Sequence, residues 1–287
     1  MAFDIYEAVT ARIIEQLEQG KIPWHKPWTG IQSGAISGTT GKPYSLLNQM
    51  LLGKPGPWYT FNQVQTLGGK VRKGEKASMV VFWKQQKIRE TDPATGEQEE
   101  KLIPLLKYYN VFHISQVDGI EAATINPEAN DLATDSAADA IIADYLTRSG
   151  VGLEHRQGDE AYYSPAADRV VLPLREQFRD MAEYYSTAFH ELTHSTGHSS
   201  RLDRISSRAF FGNEEYSREE LVAEIGAAAL LNHVGIETAG SLRNSAAYIQ
   251  SWLRALRNDK KLILTASGAA AKAFDLIIGS GATAPVA

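Results

Sequence analysis

The sequence predicts an α+β protein of two domains, each of which mixes helices and strands. A chain of 287 residues with 43% hydrophobic content is long enough to build two hydrophobic cores. Segments with helical spacing of apolar residues alternate with short β-prone runs. Between Ile120 and Ala138 the sequence becomes acidic and rich in small residues, as is typical of a linker. We therefore expect a first domain over 1–122, a linker over 123–137 and a second domain over 138–287.

The first domain is predicted to open with a helix and to contain a β-hairpin. Residues 3–19 carry apolar side chains at helical spacing, at Ile5, Val9, Ile13, Ile14 and Leu17. The runs 80–83 and 108–112 are rich in valine and aromatic residues and are predicted to pair as strands. The charged segment 89–101 between them is predicted to be an exposed hairpin loop.

The second domain is predicted to contain two long helices preceded by a strand. Residues 179–189 contain no Gly or Pro, and their apolar spacing predicts a partly buried helix that continues beyond Phe189. The β-prone run 168–173 fits two interpretations equally: an edge strand that pairs with an extended peptide, or a buried core strand. Residues 219–231 predict a further helix, whose Ala and Gly residues permit close approach to another helix.

The pentapeptide His190-Glu191-Leu192-Thr193-His194 is the strongest functional signal in the chain. On a helix, positions i and i+4 share one face about 6 Å apart, so His190 and His194 can point two imidazole nitrogens at one metal ion. Imidazole and carboxylate ligands favour zinc. Glu191 can lie beside such an ion and act as the general base for a water molecule. The motif therefore predicts a metal-dependent hydrolase with Glu191 as its catalytic residue.

A catalytic zinc centre needs a third protein ligand, and two patterns compete for that role. His198 follows Gly197, but the metzincin pattern places its third histidine ten residues after the first, where this chain has Ser200. The other candidates are Glu220 and Glu224, which share one helix face among apolar neighbours. This pair resembles the second helix of gluzincins. The resemblance implies that Glu220 binds the metal and Glu224 orients a ligand histidine, or the reverse.

Charge is distributed unevenly along the chain. The whole protein carries −5, yet residues 21–89 hold 11 Lys plus Arg and a single acid, Glu75, a local balance of +10. Eight aromatic residues share this window. Interleaved cations and rings favour single-stranded nucleic acid, because cations neutralise phosphates and rings stack on bases at about 1–3 kcal/mol each. The candidate DNA contacts are Lys21, Trp24, Lys26, Trp28, Lys42, Trp58, Lys70, Arg72, Lys73 and Lys76.

Composition disfavours several other classes of protein. No apolar run approaches the ~20 residues that span a membrane, and the N-terminus lacks a signal-peptide pattern. The chain has no cysteine, which excludes disulfides and thiolate zinc sites and fits a cytoplasmic protein. Outside the histidine motif, no carboxylate cluster would hold the two magnesium ions of a nuclease. We therefore expect a cytoplasmic protein without a membrane partner.

Taken in order along nearly its full length, the sequence resembles the ArdC-type antirestriction proteins of conjugative plasmids and their phage relatives. The similar segments are 41–48, 58–61, 67–76, 109–112, 190–197, 201–204, 219–229, 247–253 and 258–261. The resemblance implies an N-terminal single-stranded-DNA-binding domain and a C-terminal zincin-like metallopeptidase domain. The chain departs from the family pattern at His113-Ile-Ser, where Asn-x-Asp is more common.

The residues and the resemblance together lead to one expected function and one alternative. The expected protein protects single-stranded DNA of a mobile element and hydrolyses an unidentified protein substrate with one Zn²⁺ ion, although Mn²⁺ or another divalent ion would also serve. Tyr184, Tyr185 or Tyr216 would donate to the oxyanion. The alternative is a non-catalytic protein that masks single-stranded DNA and whose metal site is structural. The presence of Glu191 favours the peptidase, since a structural site needs no base.

Overall fold

The computed structural model describes residues 3–24, 34–91, 98–121, 135–205, 214–236 and 245–279. The elements of the N-terminal part are α1 Ile5–Glu18, β1 Ala35–Ser37, α2 Leu46–Leu52, β2 Gly56–Thr60, α3 Phe61–Thr66, β3 Lys70–Val71, β4 Ser78–Thr91, β5 Gln98–His113 and β6 Val117–Asp118. Those of the C-terminal part are α4 Asp135–Ser149, β7 Gly152–Arg156, β8 Tyr162–Ser164, β9 Arg169–Pro173, α5 Met181–Ser195, α6 Glu214–Val234, α7 Ser245–Asn258 and α8 Leu262–Ile278. Across these ranges, no helix combines the length and apolar character required to cross a membrane. The predicted α+β class is confirmed.

The predicted opening helix is confirmed as α1. Asp4 caps its first turn by accepting a hydrogen bond from the backbone N–H of Tyr6 at 3.0 Å. One face of the helix, formed by Val9, Ile13 and Leu17, is at most 1% exposed. This face packs into a hydrophobic core, so the periodicity of the sequence identified both the helix and its buried side.

A four-stranded sheet with the order β1-β2-β5-β4 forms the centre of the N-terminal part. Strands β1 and β2 are parallel, whereas β5 is antiparallel to β2 and β4. The predicted hairpin is confirmed, with Val80 opposite Tyr109. The predicted loop is shorter than expected, because the β4–β5 ladder continues to Thr91 opposite Gln98. Charged composition suggested a loop there, but the ladder joins backbone groups and does not depend on side-chain type.

A three-stranded sheet with the order β7-β9-β8 precedes the motif helix. Strand β9 is parallel to β7 and antiparallel to β8, so it has a neighbour on each side. Val170, Val171 and Leu172 in β9 are at most 2% exposed. The edge-strand interpretation of 168–173 is therefore wrong and the core-strand interpretation is right, since consecutive apolar residues are buried on both faces of a covered sheet.

One hydrophobic core joins the N-terminal and C-terminal parts of the chain. We call it the shared core. Its N-terminal members are Val9, Ile13, Leu17, Ile22, Trp24, Met50, Leu51, Val81 and Leu106, and its C-terminal members include Leu221, Val222, Ile225, Trp252, Leu253, Leu256, Leu262 and Ile263. A second core, around Tyr145, Leu172, Tyr185, Phe189 and Leu230, lies within the C-terminal part. Helix α6 contributes to both cores, and it therefore connects the N-terminal sheet to the motif helix.

Candidate metal centre

Helix α5 carries the two motif histidines and Glu191. Its first turn is fixed by Asp180, whose carboxylate accepts a hydrogen bond from the backbone N–H of Glu183 at 2.8 Å. One face of α5 is anchored in the second core by Tyr184, Tyr185, Ala188, Phe189 and Leu192, each at most 1% exposed. This anchoring leaves the side chains of His190 and His194, one turn apart, 19% and 12% exposed beside α6.

Helix α6 approaches α5 closely because residue 226 is glycine. A Cβ atom on Gly226 would lie 2.6 Å from Cγ2 of Thr193, which is too short for a real contact. Thr193 is fully buried and donates a hydrogen bond to the carbonyl of Phe189 at 2.7 Å, so its side chain is held in place. The close approach predicted from the small residues of this helix is confirmed, and it brings Glu220 beside both histidines.

The donor atoms of His190, His194 and Glu220 lie within 4.8 Å of one another. The Nε2 atoms of the two histidines are 3.1 Å apart. Oε2 of Glu220 lies 3.5 Å from Nε2 of His190, and Oε1 of the same carboxylate lies 3.3 Å from Nε2 of His194. Tetrahedral zinc with bonds of about 2.0–2.1 Å places its ligand atoms about 3.3 Å apart. The spacing of the two imidazoles and of each imidazole from its nearest Glu220 oxygen is close to this value, so the cluster suits a divalent metal ion.

A further carboxylate supports His194 from the opposite side of its ring. Oε1 of Glu219 lies 3.4 Å from Nδ1 of His194, and the Glu219 side chain is only 14% exposed. The Arg204 guanidinium donates to both oxygens of Glu219, at 2.8 and 3.2 Å. Arg204 also donates to Oγ1 of Thr196 at 2.9 Å and to the carbonyl of Thr193 at 3.0 Å. Glu219 and Arg204 therefore link the ring of His194 to the C-terminal end of its own helix, α5.

Glu224 lies one helical turn beyond Glu220 and faces the other histidine. Its Oε1 atom is 3.8 Å from Nδ1 of His190, which is longer than a hydrogen bond. Glu220, by contrast, faces the Nε2 atoms of both histidines. Of the expected ligand Glu220 and its alternative Glu224, Glu220 is the one within the donor cluster.

The charges of the centre are strongly coupled. Burial alone would lower the pKa of His194, but hydrogen bonds to Glu219 and Glu220 outweigh it and raise the pKa to about 10. Burial would likewise raise the pKa of Glu220, whereas its contacts with His190 and His194 hold that pKa far below the usual range. A bound cation would take the place of the protons that these imidazoles otherwise hold. The centre thus stabilises positive charge between its carboxylates.

His198 does not join the donor cluster. Helix α5 ends at Ser195, and the backbone N–H of Gly197 bonds to the carbonyl of His194 at 2.8 Å as the chain turns. The ring of His198 instead pairs through Nδ1 with the hydroxyl of Ser200 at 2.8 Å. The turn therefore directs this ring to a local partner, and the metzincin alternative is wrong for this chain.

Two of the three candidate oxyanion donors are in the hydrophobic core. Tyr184 and Tyr185 are fully buried. The hydroxyl of Tyr184 is 3.0 Å from Nε2 of His155, and its ring lies 4.5 Å from the guanidinium carbon of Arg175. Neither ring is accessible to a substrate, so these two predictions are wrong. Tyr216, on α6, is half-buried.

Two tryptophans predicted to stack on DNA bases are core residues instead. Trp24 is 4% exposed and packs edge-to-face on Trp252, 5.0 Å away. Trp58 is also 4% exposed, packs on His113, and donates its indole N–H to the carbonyl of Lys54 at 3.1 Å. Their polar sequence neighbours suggested exposure, but residues distant in the chain cover them. Burial contradicts the prediction of stacking for both.

The predicted basic contacts fall into three groups. Exposed side chains are found at Lys21, Lys42, Lys70, Lys73 and Lys76. Arg72 is also exposed, but its guanidinium is engaged by protein groups: it donates to the carbonyl of Ser115 and pairs with Glu75 and Asp118 at 3.5 Å each. Lys26 and Trp28 lie outside the described residues. The glycine-bounded turn 70–76 therefore offers lysines to a ligand, while its arginine fixes the turn to the neighbouring segment.

Comparison with known proteins gives two family matches that follow the two parts of the chain. Residues 3–112 match the family described as the N-terminal domain of anti-restriction factor ArdC. Residues 137–269 match the family described as zincin-like metallopeptidase.

The second match includes the donor cluster and the two supporting residues that the sequence reasoning missed, Glu219 and Arg204. Arg204 belongs to one of the similar segments but carried no sign of its role, since its partner is 15 residues away.

Similar proteins cover most of the chain. Two curated relatives are a DNA primase TraC of Escherichia coli, 35% identical over 95% of this chain, and the uncharacterized protein y4eC of Sinorhizobium fredii, 33% identical over 95% of this chain and 91% of its own length. The chain spans only 20% of that TraC protein.

Solved structures of one relative agree with the fold over its full length. The metal-free crystal structure of the antirestriction ArdC protein from plasmid R388 is 40% identical, with a TM-score of 0.75 over 96% of this chain and 97% of that one. Its Mn(II)-bound structure is 37% identical, with a TM-score of 0.77 over 98% and 99% of the two chains. Sequence, fold and domain order therefore agree, and the chain belongs to the ArdC antirestriction family.

Proposed function

We propose that this protein is a metal-dependent peptidase that also binds single-stranded DNA, and that both properties serve antirestriction. The observation that carries the enzymatic part is the cluster of His190, His194 and Glu220, whose donor atoms lie within 4.8 Å of one another, with Glu191 on the same helix as the two histidines. Glu191 is 8% exposed and belongs to the turn between the two histidines. A structural site would have no use for a buried, acceptor-only carboxylate at this position.

In this proposal His190, His194 and Glu220 hold the ion, and Glu191 moves the proton. A bound divalent ion would polarise the substrate carbonyl and lower the pKa of water. Glu191 accepts a proton from the attacking water and returns it to the leaving amine, so the peptide bond breaks without net change at the carboxylate. Glu219 keeps the ring of His194 oriented from the Nδ1 side, and Glu224 adds a longer electrostatic contact to Nδ1 of His190.

The identity of the ion is part of the proposal. Two imidazoles and one carboxylate favour zinc among the abundant divalent ions. The related ArdC protein from plasmid R388 was solved in an Mn(II)-bound form, which supports manganese as a second candidate ion for this chain. Zn²⁺ is proposed as the working ion, with Mn²⁺ as the ion that should substitute for it.

The DNA-binding part rests on charge and on the relatives. The described lysines of the N-terminal part are mostly exposed, and residues 21–89 carry a local balance of +10. Exposed cations of this density favour phosphate contacts. Two TraC relatives are named DNA primases, and the chain matches 20% and 27% of their lengths. The similarity to part of proteins named DNA primases supports a role on DNA for this chain.

The test compares protection of incoming DNA from restriction by wild type and by Glu191→Gln, with metal content measured in both. Glu160→Gln makes the same chemical change at an exposed position outside the centre and is the matched control. Loss of protection by Glu191→Gln alone, with metal retained and DNA affinity unchanged, supports the peptidase. Equal protection by all three proteins would show that peptide hydrolysis is dispensable and that the protein acts by masking DNA.

A further inference from the structure

One face of the β4–β5 hairpin packs Val80 and Val111 into a small core with Trp58 and carries, beyond that core, a pair of stacked aromatic rings. In the ladder, Val80 lies opposite Tyr109 and Phe82 lies opposite Lys107, so Phe82 and Tyr109 are diagonal neighbours on one face. Their ring centroids are 4.8 Å apart and their planes differ by 3°. Tyr109 is 55% exposed, so one side of the stack is open to solvent.

Folding does not account for this ring pair. The opposite face of the same hairpin carries Val81 and Leu106, which belong to the shared core, and Trp83, whose ring lies 6.4 Å from that of Tyr6. Phe82 and Tyr109, by contrast, belong to none of the hydrophobic clusters formed by the described residues. Exposed aromatic rings that pack in none of these clusters are candidates for a binding surface.

The charge around the rings selects the ligand. Lys84 and Lys107 are exposed on the same face as the two rings. Residues 78–87 and 102–113, the parts of the hairpin whose side chains are described, contain no Asp or Glu. A flat ring with a free face next to unopposed cations matches a base and its neighbouring phosphates. Duplex DNA would not expose its base faces to such a ring.

We propose that Phe82 and Tyr109, with Lys84 and Lys107, form a base-stacking site for single-stranded DNA. This inference rests on the proposed DNA-binding function and gives that function a location on the hairpin in place of the buried Trp24 and Trp58. A base stacks on the free face of Tyr109, Phe82 supports the ring from behind, and the two lysines contact the flanking phosphates.

The experiment measures the affinity of the full-length protein for a fluorescent oligothymidylate. Tyr109→Leu should weaken binding about tenfold, the size expected for one stacked base, whereas Tyr109→Phe should bind as wild type does. Trp83→Leu changes an exposed aromatic residue of the same strand pair on the opposite face and is the matched control, with less than a twofold effect. An abasic strand of equal length should bind wild type and Tyr109→Leu equally, because it offers phosphates without bases.

The lysines should act through charge alone. Lys84→Gln and Lys107→Gln should each reduce the slope of log affinity against log salt by about 0.7, the value for one phosphate of a single strand. Tyr109→Leu should leave this slope unchanged. Thermal unfolding of each variant checks that the fold is retained, which is expected because all three positions are exposed.

The outcomes separate this inference from the broader proposal. If wild type fails to bind the oligothymidylate, both are overturned. If wild type binds and Tyr109→Leu binds equally well, DNA binding stands and the stacking site is overturned. Competition by polyglutamate as effective as by the oligonucleotide would also overturn the stacking site, because it would show that charge alone is recognised.

Discussion

The carboxylate of Glu219 lies 3.4 Å from Nδ1 of His194, on the side of the ring opposite the Nε2 atom that faces Glu220. Both side chains are largely buried, and Arg204 neutralises Glu219 through two hydrogen bonds. A carboxylate in this position fixes the tautomer that leaves Nε2 free for a metal. Arg204 allows this carboxylate to remain ionised without adding unbalanced negative charge beside Glu220.

Replacing Glu219 should weaken metal binding without removing a donor atom. Glu219→Gln keeps the size of the side chain but removes the charge that pairs with Arg204 and orients His194. Metal affinity, measured by titration calorimetry of the metal-free protein, should fall by about 10- to 100-fold. Glu183→Gln, in the first turn of α5, breaks an ion pair with Arg179 outside the metal centre and should leave the affinity unchanged. An unchanged affinity of Glu219→Gln would contradict the positioning role.

The contact between Gly226 and Thr193 makes the α5–α6 spacing testable. Gly226→Ala places a methyl group 2.6 Å from the side chain of Thr193, so the helices must separate. Overpacking lowers the free energy of unfolding by about 1–3 kcal/mol. The higher helix propensity of alanine offsets about 1 kcal/mol of this loss. We expect a lower melting temperature and weaker metal binding, since Glu220 moves away from the histidines.

Gly268 provides the matched control for that substitution. It lies within α8, and a Cβ atom there would meet nothing within 4 Å. Gly268→Ala should therefore stabilise the protein slightly through helix propensity and leave metal affinity unchanged. Equal behaviour of the two alanine variants would show that the close approach of the helices does not set the geometry of the centre.

His113 should make the stability of the N-terminal part sensitive to acid. Its Nδ1 accepts a hydrogen bond from the backbone N–H of Ser115 at 3.1 Å, and its Nε2 lies 2.9 Å from the carbonyl of Pro55, so the fold uses a neutral ring. Burial lowers the pKa of His113. The unfolded chain then binds the proton more readily. The neutral His113 ring therefore contributes fully to the free energy of unfolding above about pH 6.5, the pKa of histidine in an unfolded chain. This contribution is lost as the pH falls from there toward the lower pKa of His113 in the folded protein.

The variant His113→Asn isolates that contribution. Asparagine can still cap the turn over 114–116 but does not titrate. Urea unfolding between pH 5 and 8 should show wild type losing stability relative to the variant as pH falls below about 6.5. A difference in stability between wild type and variant that stays constant over this pH range would contradict the predicted acid sensitivity of His113.

The shared core should make the protein unfold as one unit. Ile13, on α1, is fully buried and belongs to the shared core together with Leu221 and Ile225 of α6. Ile13→Ala should cost about 2–5 kcal/mol and lower the unfolding midpoint of both parts together, as followed by calorimetry with and without metal. Two separate transitions, only one of which shifts, would show that the parts fold independently.

The sequence by itself determined the local features of this protein. The periodicity of 3–19 identified α1 and its buried face, because a helix repeats every 3.6 residues wherever it lies. The spacing of His190 and His194 placed two donors on one face for the same reason. The hairpin followed from two β-prone runs. Each of these relationships joins residues within one element or one pair of neighbouring strands.

Only the tertiary structure decided which distant groups meet. The sequence named Glu220 as the third ligand with Glu224 as the alternative, and the packing of α6 on α5 at Gly226 brings Glu220 into the donor cluster. Trp24 and Trp58 were predicted to be exposed from their neighbours in sequence, but side chains from other elements cover them. Burial and metal geometry depend on contacts between elements, and neither composition nor periodicity encodes how two elements pack together.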